Sequence, residues 1–292
     1  MGQINTNEVA WKKQSRISEI WKQLKKNKAA VISLFVIIAV VLVAIFASVL
    51  APYPYDKQDY SCVYAKPSAE HLLGTDGLGR DLLSRLIYGT RQSLLLGVFS
   101  TAVAAVIGVF FGAIAGYYGK WVDNLIMRFF DIYQSIPMFL LCVTLAAVLG
   151  PSLKNAALSI GLSMVPGAAR MTRASILSVR GNEYIEAART INASNPHIIL
   201  KYIIPNAIAP VIVYVTMCIG MNILSGAMLS FIGLGAQPPL PEWGSMISDA
   251  RAVMRDHGTL ALYPGVCVMI VVLAFNLLGD GLRDAMDPRL KN

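Results

Sequence analysis

The residues able to do chemistry in this chain are few, and their spacing decides which reactions remain open. Cysteines stand at 62, 142, 218 and 267 and histidines at 71, 197 and 257. No disulfide framework or metal pair can be read from those positions, and the absence of a Gly-x-Ser-x-Gly turn leaves a hydrolase without support. Residues 74–79 (GTDGLG) and the pair Gly119-Lys120 could hold phosphate. The first lacks the Gly-Lys-Ser/Thr ending of a phosphate loop, and the second is followed by Trp121 with no glycine five residues before it. Any nucleotide that drives this protein is therefore bound by another chain. Carboxylates inside a bilayer mark ion relays, because charge there is expensive. Only Asp131 and Asp280 lie near apolar runs, each three residues from an arginine, Arg128 or Arg283. Surface ion pairs are expected of them, and ion-coupled secondary transport is the weaker reading.

The elements that carry these residues are set by composition. The chain has 292 residues, 55% hydrophobic and 14% charged, with a mean hydropathy of +0.57, whereas soluble domains carry about 25% charged residues. Covering roughly 30 Å of hydrocarbon takes about 20 apolar residues. Residues 29–51, 93–118, 132–153 and 258–279 hold no charge. Residues 155–179 form a less tidy candidate containing Pro166, Arg170 and Arg173, and a further span is expected at 209–233 within the uncharged, proline-punctuated stretch 202–241. The expectation is an all-α, polytopic membrane protein with six transmembrane helices. The first apolar run exceeds the roughly 7–15 residues of a signal-peptide core, so it is read as a retained span. Gly97, Gly108, Gly112 and Gly116 in the second span, with Gly220 and Gly226 in the fifth, suit close helix packing or elements that rock against each other.

Basic residues orient the chain. With both termini in the cytoplasm, the inner segments hold Lys12, Lys13, Arg16, Lys22, Lys25, Lys26 and Lys28 at the start, Lys120 and Arg128, the group from Arg170 to Lys201, and Arg283, Arg289 and Lys291 at the end. The outer segments are balanced in charge, so the whole formal excess of +8 falls inside. Anionic membrane lipid accounts for it, and no nucleic acid is needed. The chain divides into a basic lead (1–28), the first span (29–51), an external segment (52–92), a five-helix core (93–280) that includes a cytoplasmic loop (181–206), and a tail (281–292). In the lead, Ile17, Ile20, Trp21 and Leu24 share a helical face, as an amphipathic membrane-surface helix or a solvated tail.

The loop at 180–205, RGNEYIEAARTINASNPHIILKYIIP, is too patterned for a linker. Asn182 is placed to cap a helix from Glu183 to about Ile191, with acids in its first turn. Ala187 and Ala188 keep its middle narrow. Asn195 is placed to cap a second helix with Pro196 at its start, which Pro205 should end. Such a pair could dock on a cytoplasmic partner or lie on lipid.

Glu186-Ala187-Ala188, followed by Ile203-Ile204-Pro205-Asn206, resembles the EAA loop of bacterial ABC importer permeases. His71-Leu72-Leu73-Gly74-Thr75-Asp76, Leu78-Gly79-Arg80-Asp81 and the stretch Leu83 to Gly89 are similar to the external segment of the dipeptide/oligopeptide/nickel group, in its C-type subunit. Leu229 to Gly235, Gln237-Pro238-Pro239, Trp243-Gly244 and the ending Asp280 to Leu290 fit the same group. Asn192 departs from the usual glycine, and Val165 and Ala168 from the usual aromatics. The resemblance implies a type I importer permease fold and a multi-pass place in the bacterial inner membrane. It implies a transport subunit without enzymatic activity and without a cofactor of its own, ATP and Mg being used by partners. Those partners are a second homologous permease, two cytoplasmic ATPases and an extracellular or periplasmic solute-binding protein. It assigns Glu183, Glu186, Ala187, Ala188, Arg189, Asn192 and Pro205 to ATPase coupling. Gly74, Thr75, Asp76, Gly79, Arg80, Asp81, Gln237, Pro238, Pro239 and Trp243, within the stretches 74–85 and 237–243, are expected to form an external face that meets the binding protein or helps shut the external mouth. Di- or oligopeptide is the implied substrate, with nickel or a nickel chelate as the alternative.

Overall fold

The structure, a computed structural model, describes residues 16–286; Lys12 and Lys13 of the lead and Arg289 and Lys291 of the tail lie outside them. The described residues are helical, with one isolated bridge between Thr75 and Asp81. Helix α1 (Arg16–Leu24) leads through a turn into α2 (Lys28–Ile45), whose start Asn27 caps through Oδ1, accepting from Ala30 N at 3.1 Å. A short α3 (Ala47–Leu50) ends the first hydrophobic run. The lead helix packs through Leu24 and Ile20 onto the final helix, beside Leu278, Leu282 and Ala285.

An irregular segment, expected to be external, then delivers the chain to α4 (Leu82–Tyr118, 37 residues), which begins before the expected span at 93. At about 1.5 Å per residue such a helix is longer than the hydrocarbon is thick, so its first turns belong to the external segment. The expected crossing over 132–153 is instead two helices, α5 (Lys120–Tyr133) and α6 (Met138–Leu149), bent by 79°. The cause is Pro137, which has no N–H to donate and pushes Ile136 out of the helical region, so the chain breaks and restarts with Pro137 as N-cap. α7 (Leu153–Val179), α8 (Glu183–Thr190), α9 (Asn195–Ile198), α10 (Ile204–Phe231), α11 (Trp243–Ala250) and α12 (Thr259–Met286) complete the fold.

By length and apolar character, four helices can cross a membrane, α2, α4, α10 with its α9 lead, and α12; the bent α5–α6 pair makes a fifth if counted as one span. α7, expected as a crossing, is long enough but does not reach the same apolar character. Its small and polar residues have another use, since Ala156, Ala157, Ser159, Gly161, Ala168, Ala169 and Thr172 are buried. Gly161, Ala168, Ala169 and Thr172 face α4, the helix with which α7 packs most extensively, and Ala156 and Ala157 join a cluster with Cys142 and Ala146 of α6. A Cβ added at Gly108 would stand 2.4 Å from the Ala168 Cβ, and one at Gly112 would stand 2.4 Å from the Ala169 carbonyl oxygen. An aromatic at 168 could not fit here, which explains that departure.

Polar links fix the other contacts. Asn222 of α10, fully buried, donates from Nδ2 to Thr101 Oγ1 of α4 at 2.8 Å. Arg173 of α7 grips Asp123 of α5 with two bonds, of 2.5 and 2.6 Å. Asp131 pairs with Arg170 at 3.0 Å rather than with Arg128, because α5 turns its carboxylate toward α7, where Gln134 also meets Arg170. Large apolar side chains such as Phe35, Val106, Phe110 and Val148 are exposed on the helices.

The α4–α7 seam makes a direct test. Gly112→Leu should lower stability by about 1–3 kcal/mol or more through overpacking, read as a fall in thermal midpoint in detergent. Val106→Leu, at an exposed position, should leave the midpoint unchanged.

Candidate functional site

Two surfaces gather the residues singled out by sequence, one at each end of α4. At the N-terminal end the motif from Gly74 to Asp81 is a knot tied on the start of that helix. Gly74 and Gly79 take positive φ, +83° and +69°, and a Cβ at Gly79 would stand 1.7 Å from the Asp59 carbonyl oxygen, so only glycine closes the turn. Thr75 Oγ1 accepts from Ala65 N at 2.8 Å and donates to the Cys62 carbonyl. Asp76 folds the turn, its Oδ1 accepting from Leu78 N at 2.9 Å and Arg80 N at 3.0 Å. Asp81 then caps α4, with Oδ2 on Ser84 N at 2.7 Å and Oδ1 against His71 Nδ1 at 2.9 Å. Glycines, threonine and acids thus act as structural fasteners, with no phosphate loop among them.

The knot leaves two arginines inside. Arg80 Nε bonds Asp76 Oδ2 at 2.7 Å, and Arg85 Nε meets the same oxygen at 3.3 Å. Their Nη2 atoms both point at Asp249 Oδ2 on α11, at 3.9 Å each. The arginine side chains are 8% and 3% exposed, that of Asp249 58%. Partial burial nevertheless lifts the Asp249 carboxyl above its ordinary pKa, against the pull of Arg85 and Arg80. Around these groups lies a cavity of about 430 Å³, bounded opposite the arginines by Gln237, Pro238 and Leu240. The two external stretches, far apart in sequence, therefore meet at one place.

α11 closes that place. Trp243, at its first position and 1% exposed, donates from Nε1 to the Leu86 carbonyl at 3.3 Å. Glu242 caps the helix through Ser245 N at 3.0 Å and accepts from Ser93 Oγ of α4 at 3.0 Å. Gly244 lets α11 lie on α10, since a Cβ there would stand 2.3 Å from the Ala227 oxygen. Thr75, Arg80, Asp81 and Trp243 are buried, whereas Gln237, Pro238 and Pro239 are exposed. Sequence reasoning missed Ser93 and Asp249 and placed Arg85 and Glu242 in the right stretches without their roles; the Glu-x-x-Ser order at 242–245 reverses the usual capping box, which hid the cap.

At the other end, α8 and α9 stand against α4, α7 and α10. Ile185, Ala188, Ile198 and Ile203 form a buried cluster with Ala113, Tyr117 and Ile176. Ala188 faces its own chain, so Ala187 is the small residue presented outward, with Glu183, Glu186 and Arg189 also exposed. Asn182 is the N-cap of α8 but makes no side-chain capping bond. Asn192 adopts φ +57°. It closes α8 with the paired bonds Asn192 N to Arg189 O at 2.9 Å and Ala193 N to Ala188 O at 3.1 Å, the arrangement that normally takes glycine.

Ser194, not Asn195, is the N-cap of α9, and Pro205 does not end the helix. A π turn over Ile199–Ile203 widens the backbone just before it and leads without a break into α10, where Pro205 occupies the first turn. Tyr117, missed from sequence, is the anchor: its hydroxyl and Asn195 Oδ1 are 2.7 Å apart, and the Arg189 guanidinium lies 5.6 Å from its ring centre. Arg180 Nη1 donates to the Gly116 carbonyl at 3.0 Å.

Known proteins were compared with this arrangement. Residues 108–292 match the family described as "Binding-protein-dependent transport system inner membrane component". Residues 15–67 match the "N-terminal TM domain of oligopeptide transport permease C". A dipeptide transport system permease protein of Alkalihalophilus pseudofirmus is 46% identical, over 94% of this chain and 90% of its own length. A glutathione transport system permease protein of Escherichia coli is 42% identical over the same shares. The MetNI methionine ABC transporter, in inward-facing conformations, matches in fold with TM-score 0.58 and 20% identity, covering 70% of this chain and 98% of the other. A solved amino acid ABC transporter matches with TM-score 0.54 and 16% identity, covering 68% and 92%.

Trp243→Ala should cost about 3–5 kcal/mol in unfolding free energy and speed amide exchange in α11. At Asn192, valine should destabilise by about 1–2 kcal/mol because a left-handed residue is strained there, while glycine should be neutral or stabilising; thermal unfolding separates the two.

Proposed function

The chain belongs to the family of binding-protein-dependent transport system inner membrane components, and we propose that it is the C-type permease subunit of a peptide importer. It is a multi-pass protein of the bacterial inner membrane and a transport subunit. Its identity with a dipeptide permease supports peptide over nickel. Both termini face the cytoplasm, so that the 180–206 loop and the basic lead share that side. In this reading the substrate path forms between this chain and a second, homologous permease. Two ABC ATPases bind and hydrolyse ATP with Mg below the membrane, and a solute-binding protein delivers the peptide from outside.

One observation carries the assignment of the loop. A joint that transmits force must be stiff behind and polar in front. α8 meets both conditions, its Ile185 and Ala188 locked onto α4 and α7 while Glu186, Ala187 and Arg189 stay exposed. Glu183 and Glu186 lie in its first turn, where the helix dipole favours acids, and Arg189 in its last. The exposed row is the contact for an ATPase groove. Asn192 and Pro205 shape its exits without touching the partner. On the outer face, the exposed turn from Gln237 to Pro239 and the knot beneath it receive the binding protein.

The complex extracted in mild detergent should contain two ATPase chains and a second permease. In vesicles it should take up labelled di- and oligopeptides only with ATP, and nickel not at all. Glu186→Lys should lower uptake at least tenfold while ATP hydrolysis continues. Uptake without ATP would overturn the function; full coupling in Glu186→Lys would overturn the role of the loop.

A further inference from the structure

The external cavity holds an unusual charge geometry that the importer reading leaves unexplained. Asp76 Oδ2 ties down the Nε of both arginines, which leaves the two Nη2 groups converging on a single point. The oxygen nearest that point, Asp249 Oδ2, stops 3.9 Å from each. A charge-assisted N–H···O bond closes at about 2.7–2.9 Å, so Asp249 falls roughly an ångström short on both sides. Helix α11 holds it there, fixed by Trp243 under Leu86 and by Gly244 against Ala227. The arginines thus face a carboxylate that neutralises them without satisfying them.

We infer that the paired Nη2 groups of Arg80 and Arg85 are a receptor for an Asp or Glu side chain of the protein that docks on the external face, with Asp249 as the tethered group it displaces. This rests on the importer reading for the identity of that protein. Three features favour the exchange. The cavity of about 430 Å³ has room for a second side chain beside Asp249. The Asp249 side chain is 58% exposed, so it can turn to water without stranding a buried charge. An untethered carboxylate can approach the two Nη2 groups from the cavity side, whereas Asp249, carried on α11, stands 3.9 Å from each.

The same geometry argues for a protein side chain over a dissolved carboxylate. Asp249 competes from a fixed place in the same chain, at the millimolar or higher effective concentration of a tethered group. A free anion at low concentration loses that competition, whereas a carboxylate presented by a docked surface meets it on equal terms. Because one carboxylate replaces another, the charge of the cavity is unchanged, and docking is coupled to release of the Asp249 side chain from the arginine pair.

The test uses the complete importer in lipid nanodiscs and its own labelled solute-binding protein, with Kd measured at constant ionic strength. Asp249→Asn removes the internal competitor and should tighten binding three- to tenfold. Adding Arg80→Lys, which keeps the charge but loses the fork, should cancel that gain. In the Asp249→Asn complex, replacing 100 mM chloride by acetate should weaken binding, an arm that decides the matter should the double variant not assemble. Equal Kd values for wild type and Asp249→Asn, a gain that survives Arg80→Lys, or indifference to acetate would each overturn the inference while leaving the importer reading intact. Failure of the wild-type complex to bind any solute-binding protein would overturn both.

Discussion

Between Gly108 and Ala168 the backbones of α4 and α7 approach so closely that one added carbon would stand 2.4 Å from the neighbouring methyl. In lipid there is little hydrophobic drive to hold helices together, so contact has to come from dispersion and from polar groups meeting across the gap. Small residues supply the first and the buried Asn222–Thr101 bond an instance of the second. The seam sets where everything else can stand. α5 is drawn in by Arg173 and Asp123, α10 packs against both α4 and α7, and α12 packs on α10. That dependence also accounts for the polar character of α7, which lies against protein more than against lipid.

Because α4 runs unbroken for 37 residues, its two ends report on both surfaces at once. Asp81 holds the external knot at its start, and Tyr117 holds the α8–α9 pair near its end. A helix bonded within itself has no soft point at which such a connection could be lost. The segment 52–81 and the loop 180–206 are thus held at opposite ends of one continuous helix.

The sequence made some of this plain and hid the rest for physical reasons. Uncharged runs and caps are local signals, so α2, α8, α10 and α12 were legible to within a few residues at most ends, though the start of α4 was not, and the two stretches grouped by sequence, Gly74–Asp81 and Gln237–Trp243, line one cavity. The break at Pro137 was missed because the apolar run continues through it, and hydropathy does not register a lost N–H. Pro205 misled in the opposite direction, since a proline in the first turn of one helix looks like the stop of another. Asp131 was paired with its neighbour Arg128 because Arg170 is distant in sequence. Arg85 and Asp249 come together only through the fold. Ala187 and Ala188 are adjacent, and only packing tells which of them faces outward.

The π turn at Ile199–Ile203 joins α9 to α10 without a hinge. A π turn carries roughly one residue more than the α turn it replaces, and each residue of an α-helix corresponds to about 100° of rotation and 1.5 Å of rise. Tightening it to regular geometry would therefore twist α10 about its own axis by something near a quarter turn, with only a small axial advance. At the far end of that shaft Ser230 borders the external cavity and the Phe231 carbonyl accepts from Ser248 of α11 at 2.8 Å. The extra residue of the π turn thus sets the rotational register in which α10 presents Ser230 and Phe231 to the cavity and to α11.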